Sequence, residues 1–454
     1  MSSRDLISAL VLLAAAAPLP LLAAIGIPAL ARRPLDERVI GALARALFST
    51  SFAAFTTATA LIVASGSGAV VVLVGDWFAI PPYHFQLQLL VDGLSLPFAL
   101  FSVMLCGVIA GFAHRYLHRE PGYARFFVLL SVFTLGMLTI VLAGTIEVAF
   151  AGWELVGLSS ALLIAFFQHR QLAVRNALRA FVVYRVCDIG LLVAALLVHH
   201  WCGTGDFAAL FGGKWPGGSS PLAGTRATIV VGLIVVSAMG KCAQLPFSGW
   251  LPRAMEGPTP SSAIFYGALS VHAGAYLLLR FEPLIGQAPI ARVLIGCIGL
   301  LSAVHASFVA RTQTDIKAVL AYASLTQVGL ILVEIAAGFP RLALTHIVGH
   351  ACIRSLQFLR APSLLHDLHV TENAVGGHIA RVRFSESPRP SRTQRWLYRF
   401  ALERAYLDSL LEALLVAPLF RLLGWLDSAE RRFSRLFDPA DRARSPQRSL
   451  SDRP

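Results

Sequence analysis

Charge is scarce in this chain. Asp, Glu, Lys and Arg make up 14% of its 454 residues, and 56% are hydrophobic. A soluble globular chain carries about 25% charged residues. That shortage excludes an ordinary soluble domain and leaves a polytopic membrane protein whose helices supply the core. Acidic residues are scarcer than basic ones, 25 against 38, for a net charge of +13. A basic balance can signal a nucleic-acid partner, but here the arginines fall in short loops between apolar runs and in the tail. That is the positive-inside pattern of a membrane protein, so no nucleic-acid partner is read. Cysteine is also sparse. Cys106, Cys187, Cys202, Cys242, Cys297 and Cys352 contain no CxxC pair, and five lie in or beside apolar runs. They read as small buried packing residues, which excludes a metal site and a disulfide framework. No Walker sequence, no GxGxxG after a strand and no cysteine cluster is present. The chain therefore carries no nucleotide, flavin, haem or iron–sulfur cofactor and is not an enzyme alone.

Long apolar runs are what the chain does have. Each needs about 20 residues to span a bilayer, and the sequence divides into eleven such spans: 6–31, 47–74, 89–113, 126–143, 145–167, 177–199, 228–247, 261–279, 287–310, 317–337 and 341–365. The first is too long for the apolar region of a signal peptide and reads as a retained span. Arg32, Arg33, Arg38 and Arg45 follow span one, whereas 75–88 has no Lys or Arg. Arg115, Arg119 and Arg125 follow span three, Arg170 and Arg175 span five, Arg253 span seven, and Arg311 precedes span ten. Odd-numbered spans then end in the cytoplasm of a bacterial inner membrane, with the N-terminus outside and the C-terminus inside. Residues 1–367 form the transmembrane domain and 368–394 a polar linker. Residues 395–437 alternate apolar and basic positions and read as an amphipathic helix on the cytoplasmic interface or on a partner. Their centre, 410–425, is a candidate twelfth span, opposed by Glu412, Pro418 and Arg421. Residues 438–454 read as a disordered basic tail.

The chemistry lies in ionisable residues inside the apolar runs, where such residues are costly and face a wet interior or each other. The chain is organised around 237–280. Lys241 follows Gly240 inside an apolar run, and Pro246 follows closely, so the run reads as a broken helix whose break faces a polar interior. Glu154 falls mid-span in span five, and Asp188 follows Arg185 by three residues in span six. His272 is deep in span eight with Tyr266 before it, and Lys317 opens span ten. His346, His350 and Arg354 recur every four residues and share one helix face. Glu334 lies near the end of span ten. Arg185 and Asp188 also suit a structural pair, His272 a core histidine, and Glu334 and Lys317 snorkelling side chains. The paired histidines lack a third ligand, so no metal is read. The sequence predicts a proton wire. A buried lysine's charged form is disfavoured until a carboxylate approaches, and histidine passes protons through either ring nitrogen.

Several motifs carry a family resemblance: DGLS (92–95), GWELVGLSS (152–160), RVCDIGLL (185–192), GKCAQLPFSGWLPRAMEGPTPSSA (240–263), DIKAVLAYASLTQVG (315–329) and THIVGHA (345–351). Over roughly 85–360 the chain resembles the antiporter-like proton-conducting subunits: subunit L, or chain 5, of NADH–quinone oxidoreductase and the large subunit of Mrp-type antiporters. The resemblance implies an all-α fold of two inverted repeats, each with a broken helix, the second truncated here. It implies a gating ion pair of Glu154 and Lys241, a further acid at Asp188, and a polar axis of Lys317, His346 and His350. Tyr266 stands where the family has a histidine, His272 where a small or hydroxyl residue is usual, and Arg354 where it has a lysine. Arginine holds its proton at any relevant pH. The segment 354–367 and the basic amphipathic ending look more like one branch, the membrane subunit of Dab-type inorganic carbon pumps. That would imply a large cytoplasmic zinc-binding partner related to β-carbonic anhydrases, with the zinc in the partner.

Overall fold

A computed structural model of the chain describes residues 3–66, 68–80, 83–375 and 391–437. Among the described residues, eleven helices are long and apolar enough to cross a membrane. Ten follow the expected order: α1 (Arg4–Leu30), α2 (Glu37–Ser65), α3 (Ser95–Tyr116), α4 (Tyr123–Leu142), α5 (Ile146–Ile164), α6 (Gln171–Cys202), α7 (Gly224–Lys241), α8 (Thr259–Arg280), α9 (Pro289–Ala310) and α10 (Ile316–Ala337). The chain is thus an all-α polytopic membrane protein.

Three expectations need correction. The second span was expected over 47–74, but α2 begins at Glu37 and stops at Gly66, whose left-handed backbone (φ 63°) caps it. Beyond it lies an antiparallel hairpin of β1 (Val70–Ile80) and β2 (Tyr83–Val91). A run of β-branched valines there suits a strand as well as a membrane helix, and hydropathy does not separate the two. The eleventh expected span, 341–365, is helical within α11 (Pro340–Val375) but is not among the eleven. Arg341, His346, His350 and Arg354 make it polar. The eleventh apolar helix is instead Arg404–Phe433, which the sequence offered as an interfacial helix with a candidate span at its centre. The third correction concerns cysteine: Cys106, Cys187 and Cys242 are buried as expected, but Cys297 and Cys352 are exposed.

The expected linker, 368–394, is helical at both ends, as the close of α11 and the start of α12 (Arg392–Leu402). Residues 376–390 and the tail 438–454 lie outside the described residues. The described residues up to Leu407 form one compact unit, and those from Asp408 onward a second. The second ends in α13 (Ala417–Phe437), where Arg431 pairs with Asp427 one turn away at 2.9 Å and Leu422, Leu423 and Trp425 are exposed.

Small residues set the closest helix contacts. A Cβ on Gly152 of α5 would stand 2.7 Å from the Ile140 backbone nitrogen of α4. A Cβ on Gly329 of α10 would stand 2.9 Å from the Ala303 nitrogen of α9. One buried ion pair ties the hairpin end of the bundle together. Asp92, in the turn between β2 and α3, accepts from the Leu94 and Ser95 backbone N–H groups at 3.0 and 2.8 Å and from Arg280 Nη1 at 2.5 Å. Arg280 Nη2 also donates to Tyr276 Oη at 3.0 Å, and that hydroxyl donates to the Val141 carbonyl at 2.5 Å. Removing one partner of a buried pair leaves the other charge uncompensated, so Arg280→Met is expected to cost about 3–5 kcal/mol of stability. A thermal melt in detergent checks it.

Candidate functional site

The site begins where α7 stops. The expected span ran to 247 with Lys241 inside it, but Lys241 is the last residue of the helix. Gly240, read as part of the break, is still helical and lies where α7 meets Cys187 of α6 too closely for any Cβ. The chain turns through Ala243 in the left-handed region (φ 51°), and Pro246 falls in the non-helical stretch as expected. Side chains and nearby backbone satisfy the groups that the break frees. Trp250 Nε1 donates to the Gly240 carbonyl at 3.0 Å, Gln244 Nε2 to the Cys242 carbonyl at 2.9 Å, and the Leu245 N–H to Ser302 Oγ at 3.0 Å. Broken helices survive at membrane depth only with such partners. The C-terminal position also places the Lys241 charge at the end of the helix dipole that favours a cation.

Lys241 is fully buried. Its Nζ lies 3.8 Å from Asp188 Oδ2, 4.4 Å from the ring centre of Tyr184 and 5.1 Å from that of Trp153. Among the described residues it has no hydrogen-bond partner. Asp188 is the hub: it accepts from Trp153 Nε1 at 2.5 Å and from Arg185 Nη2 at 2.8 Å. Arg185 turns its other terminal nitrogen, Nη1, to Glu154. The structure therefore brings Glu154 and Lys241 into one cluster but does not pair them. Arg185 and Asp188 stand between, in the order Glu154, Arg185, Asp188, Lys241. Gly157, one turn after Glu154, makes room for this: a Cβ there would stand 2.6 Å from Lys241 Nζ and 3.1 Å from Arg185 Nη2. Gly157→Ala is expected to displace the ammonium and to cost about 1–3 kcal/mol of stability through overpacking. Thermal melting in detergent, beside the wild type, checks it.

A second line of groups joins α8 to α11. Residues Ser262–Ala268 of α8 form a π-helical turn, a feature that accompanies functional sites. Just beyond it His272 is fully buried, and its Nδ1 meets the Ala268 carbonyl. A carbonyl only accepts, so Nδ1 carries the proton and Nε2 of the neutral ring accepts. That nitrogen faces His350 Nδ1 at 3.0 Å, so His350 donates there, and its own Nε2 accepts from Arg354 Nε at 3.5 Å. His272 is thus not an isolated core histidine. His346 stands one turn from His350, ring centres 6.4 Å apart, with Nδ1 2.8 Å from Glu334 Oε1 and Nε2 3.0 Å from Gln327 Oε1. Tyr266 is buried against Trp250, and its hydroxyl has no partner among the described residues. Lys317 is half-buried in the first turn of α10 and makes no hydrogen bond to the histidine line among the described residues.

Sequence reasoning gave no role to Trp153, Tyr184, Gly157 or Gln327. Each is uncharged, and beside apolar neighbours nothing separates it from packing. It also left Glu334 open between an interior group and a snorkelling side chain; the structure sets its Oε1 2.8 Å from His346 Nδ1. No group of three metal-ligating side chains occurs among the described residues.

These features define an all-α polytopic membrane protein with a broken helix and an interior line of ionisable groups. Two family models match the chain: "NADH:quinone oxidoreductase/Mrp antiporter, TM" over residues 143–377, and the N-terminus of chain 5 of NADH-ubiquinone oxidoreductase (complex I) over 77–127. The chain belongs to this NADH:quinone oxidoreductase/Mrp antiporter family. It is 35% identical over 316 residues to NADH-quinone oxidoreductase subunit L of Pseudomonas aeruginosa, covering 67% of this chain and 49% of that one. It is 34% identical over 296 residues to the chloroplastic NAD(P)H-quinone oxidoreductase subunit 5 of Nephroselmis olivacea, covering 64% and 45%. The solved Mrp complex from a Dietzia species contains a similar chain, with TM-score 0.64 and 28% identity, covering 83% of this chain and 38% of that one. The chain spans about half the length of the curated relatives it matches.

Proposed function

We propose that this chain is a membrane subunit that conducts protons through the charges of α5, α6 and α7 and the histidines of α8 and α11. One observation carries the reading. Four ionisable side chains, Glu154, Arg185, Asp188 and Lys241, are in sequential contact inside the bundle, and they end on an ammonium with no hydrogen-bond acceptor among the described residues. Arg185 is shared between two carboxylates. When it leans to Glu154, Asp188 compensates Lys241; when it leans to Asp188, Lys241 loses that compensation and releases its proton. The proton then has a route past the hydroxyls of Tyr184 and Tyr266, which have no hydrogen-bond partner among the described residues. Buried polar atoms of that kind are ordinarily served by water. His272 lies two residues from Gly274, which packs on the end of α7 at Ala238 and Cys242. Protons enter near Asp188 and Glu154, on a topology with the N-terminus outside and the C-terminus in the cytoplasm.

Within the family, the segment 354–367 and the basic amphipathic region 395–437 favour an inorganic carbon pump. The partner is then a large cytoplasmic zinc-binding subunit related to β-carbonic anhydrases. Zinc sits in that partner, and proton flow drives directional hydration of CO2 to bicarbonate. The names of the relatives favour a second reading, a proton-pumping subunit of a quinone reductase or a cation/proton antiporter. Purification from mild detergent separates the two. A zinc protein that co-purifies without flavin or iron–sulfur supports the carbon pump; flavin and iron–sulfur subunits, or an antiporter assembly, support the second. A chain that passes no protons in liposomes, beside a partner fully active without it, leaves only an anchor.

A further inference from the structure

The histidine line has unlike ends. At one end is Arg354, buried, with its Nε toward His350 at 3.5 Å and Nη1 donating to Gln357 at 2.7 Å. It has no carboxylate partner among the described residues, and its charge is permanent. At the other end is Glu334, whose Oε1 lies 2.8 Å from His346 Nδ1 and whose Oε2 is buried with no hydrogen-bond partner among the described residues. The row therefore runs from a fixed cation to a carboxylate, through His350, with His272 beside it, and then His346.

We propose that Glu334 is a proton-transfer residue, the port where the histidine line leaves this chain between α10 and α11, and that Arg354 closes the opposite end. A proton arriving at His272 or His350 is repelled by the adjacent guanidinium and drawn toward the carboxylate. The step from His350 to His346 crosses ring centres 6.4 Å apart, a gap one water or one ring rotation bridges. His346 can carry the extra proton because acceptor oxygens face both its ring nitrogens. Gln327 suits either charge state: its amide oxygen serves the imidazolium, and its NH2, after a flip, serves the neutral ring. In the final step the imidazolium N–H bond at Nδ1 breaks and an O–H bond forms on Glu334, leaving a neutral ring and a neutral acid. The side chains of Glu334 and His346 are 21% and 23% exposed, whereas His272 is fully buried and Arg354 is buried, so this end of the line is the more accessible of the two. Glu334 lies in the last turn of α10, and the loop charges assign that end to the outer face. The inference rests on the proton-conducting reading and adds to it the route out.

The test is proton flux through the full chain in liposomes, with any retained partner, for the wild type, Lys241→Met, Glu334→Gln and Glu334→Asp. Melting temperatures are measured alongside. Glu334→Gln is expected to lower flux by about tenfold or more, Glu334→Asp to restore most of it, and both to melt with the wild type. A Glu334→Gln protein that conducts like the wild type while Lys241→Met is silent overturns the inference and leaves the conduction reading standing. A wild type that conducts nothing removes the conduction reading, and this inference with it. If Glu334→Gln melts early, a lipid-soluble carbodiimide decides, since it couples only to a protonated carboxyl group. Modification of wild-type Glu334, located by mass spectrometry and reduced in His346→Gln, supports the port. Absence of Glu334 from the modified carboxyls overturns it.

Discussion

Lys241→Met is expected to abolish proton flux and leave the protein as stable as before, or more so. The ammonium is fully buried, has no hydrogen-bond partner among the described residues, and lies 3.8 Å from a carboxylate already engaged by Trp153 and Arg185. Removing it orphans nothing: Asp188 keeps both donors. Replacing a whole buried ion pair by apolar side chains of similar volume is often neutral or stabilising, by about 1–4 kcal/mol; here only the member without hydrogen bonds goes, and Asp188 stays compensated by Arg185, so the cost of breaking a pair is avoided. Under the proposed function Lys241 itself carries the proton, and its loss then costs about 100-fold or more in rate. The expected result is therefore a divergence, with flux lost and melting temperature unchanged or raised. A lysine retained for structure would give the opposite: lower melting and residual flux. Liposome flux and a detergent melt on the same sample tell them apart.

Asp188→Asn is expected to damage both properties. Asn still accepts from the Trp153 indole, so the shape of the site survives. What disappears is the negative charge between Arg185 and Lys241. Arg185 retains Glu154, but Lys241 loses the carboxylate nearest to it. A buried cation stripped of its partner costs about 3–5 kcal/mol, and flux should fall with it. Glu154→Gln is the contrast: Glu154 is 28% exposed at its side chain, and Arg185 keeps Asp188 when it is removed. Its stability loss should be about 1 kcal/mol or less, the range of partly exposed pairs. If Glu154→Gln melts earlier than Asp188→Asn, Asp188 is not the hub.

The legible and the hidden parts of this site differ in kind. Lys241 and Pro246 stood out because a charge and a proline interrupt an apolar run. Arg185 and Asp188, three residues apart, were visible as a pair because one helix turn brings them together. His346, His350 and Arg354 shared a face for the same reason. Contacts across helices were not legible. The acid facing Lys241 was taken from resemblance to be Glu154, and the structure places Asp188 there. His272 looked solitary because His350 is 78 residues away in sequence. The valine-rich hairpin was read as part of a span because transfer to lipid rewards strand and helix residues alike.

The sequence by itself determined that this is a helical membrane protein, where most of its helices lie, and that acids, a lysine and histidines are committed to its interior. Hydropathy and the helical repeat are local properties, and those conclusions need nothing else. The tertiary structure decided which of those groups meet. Pairings between helices depend on the rotation and depth of each one, and here glycines set both by letting helices approach closely: Gly190 against the Leu233 backbone, Gly274 against the Ala238 backbone, and Gly240 against the Cys187 side chain. Those approaches fix the rotation of α6 and α7 at which Asp188 faces Lys241, and they seat α8, which carries His272, against α7. A shift of one residue in any of them would point the same side chains elsewhere, because successive helical positions face about 100° apart.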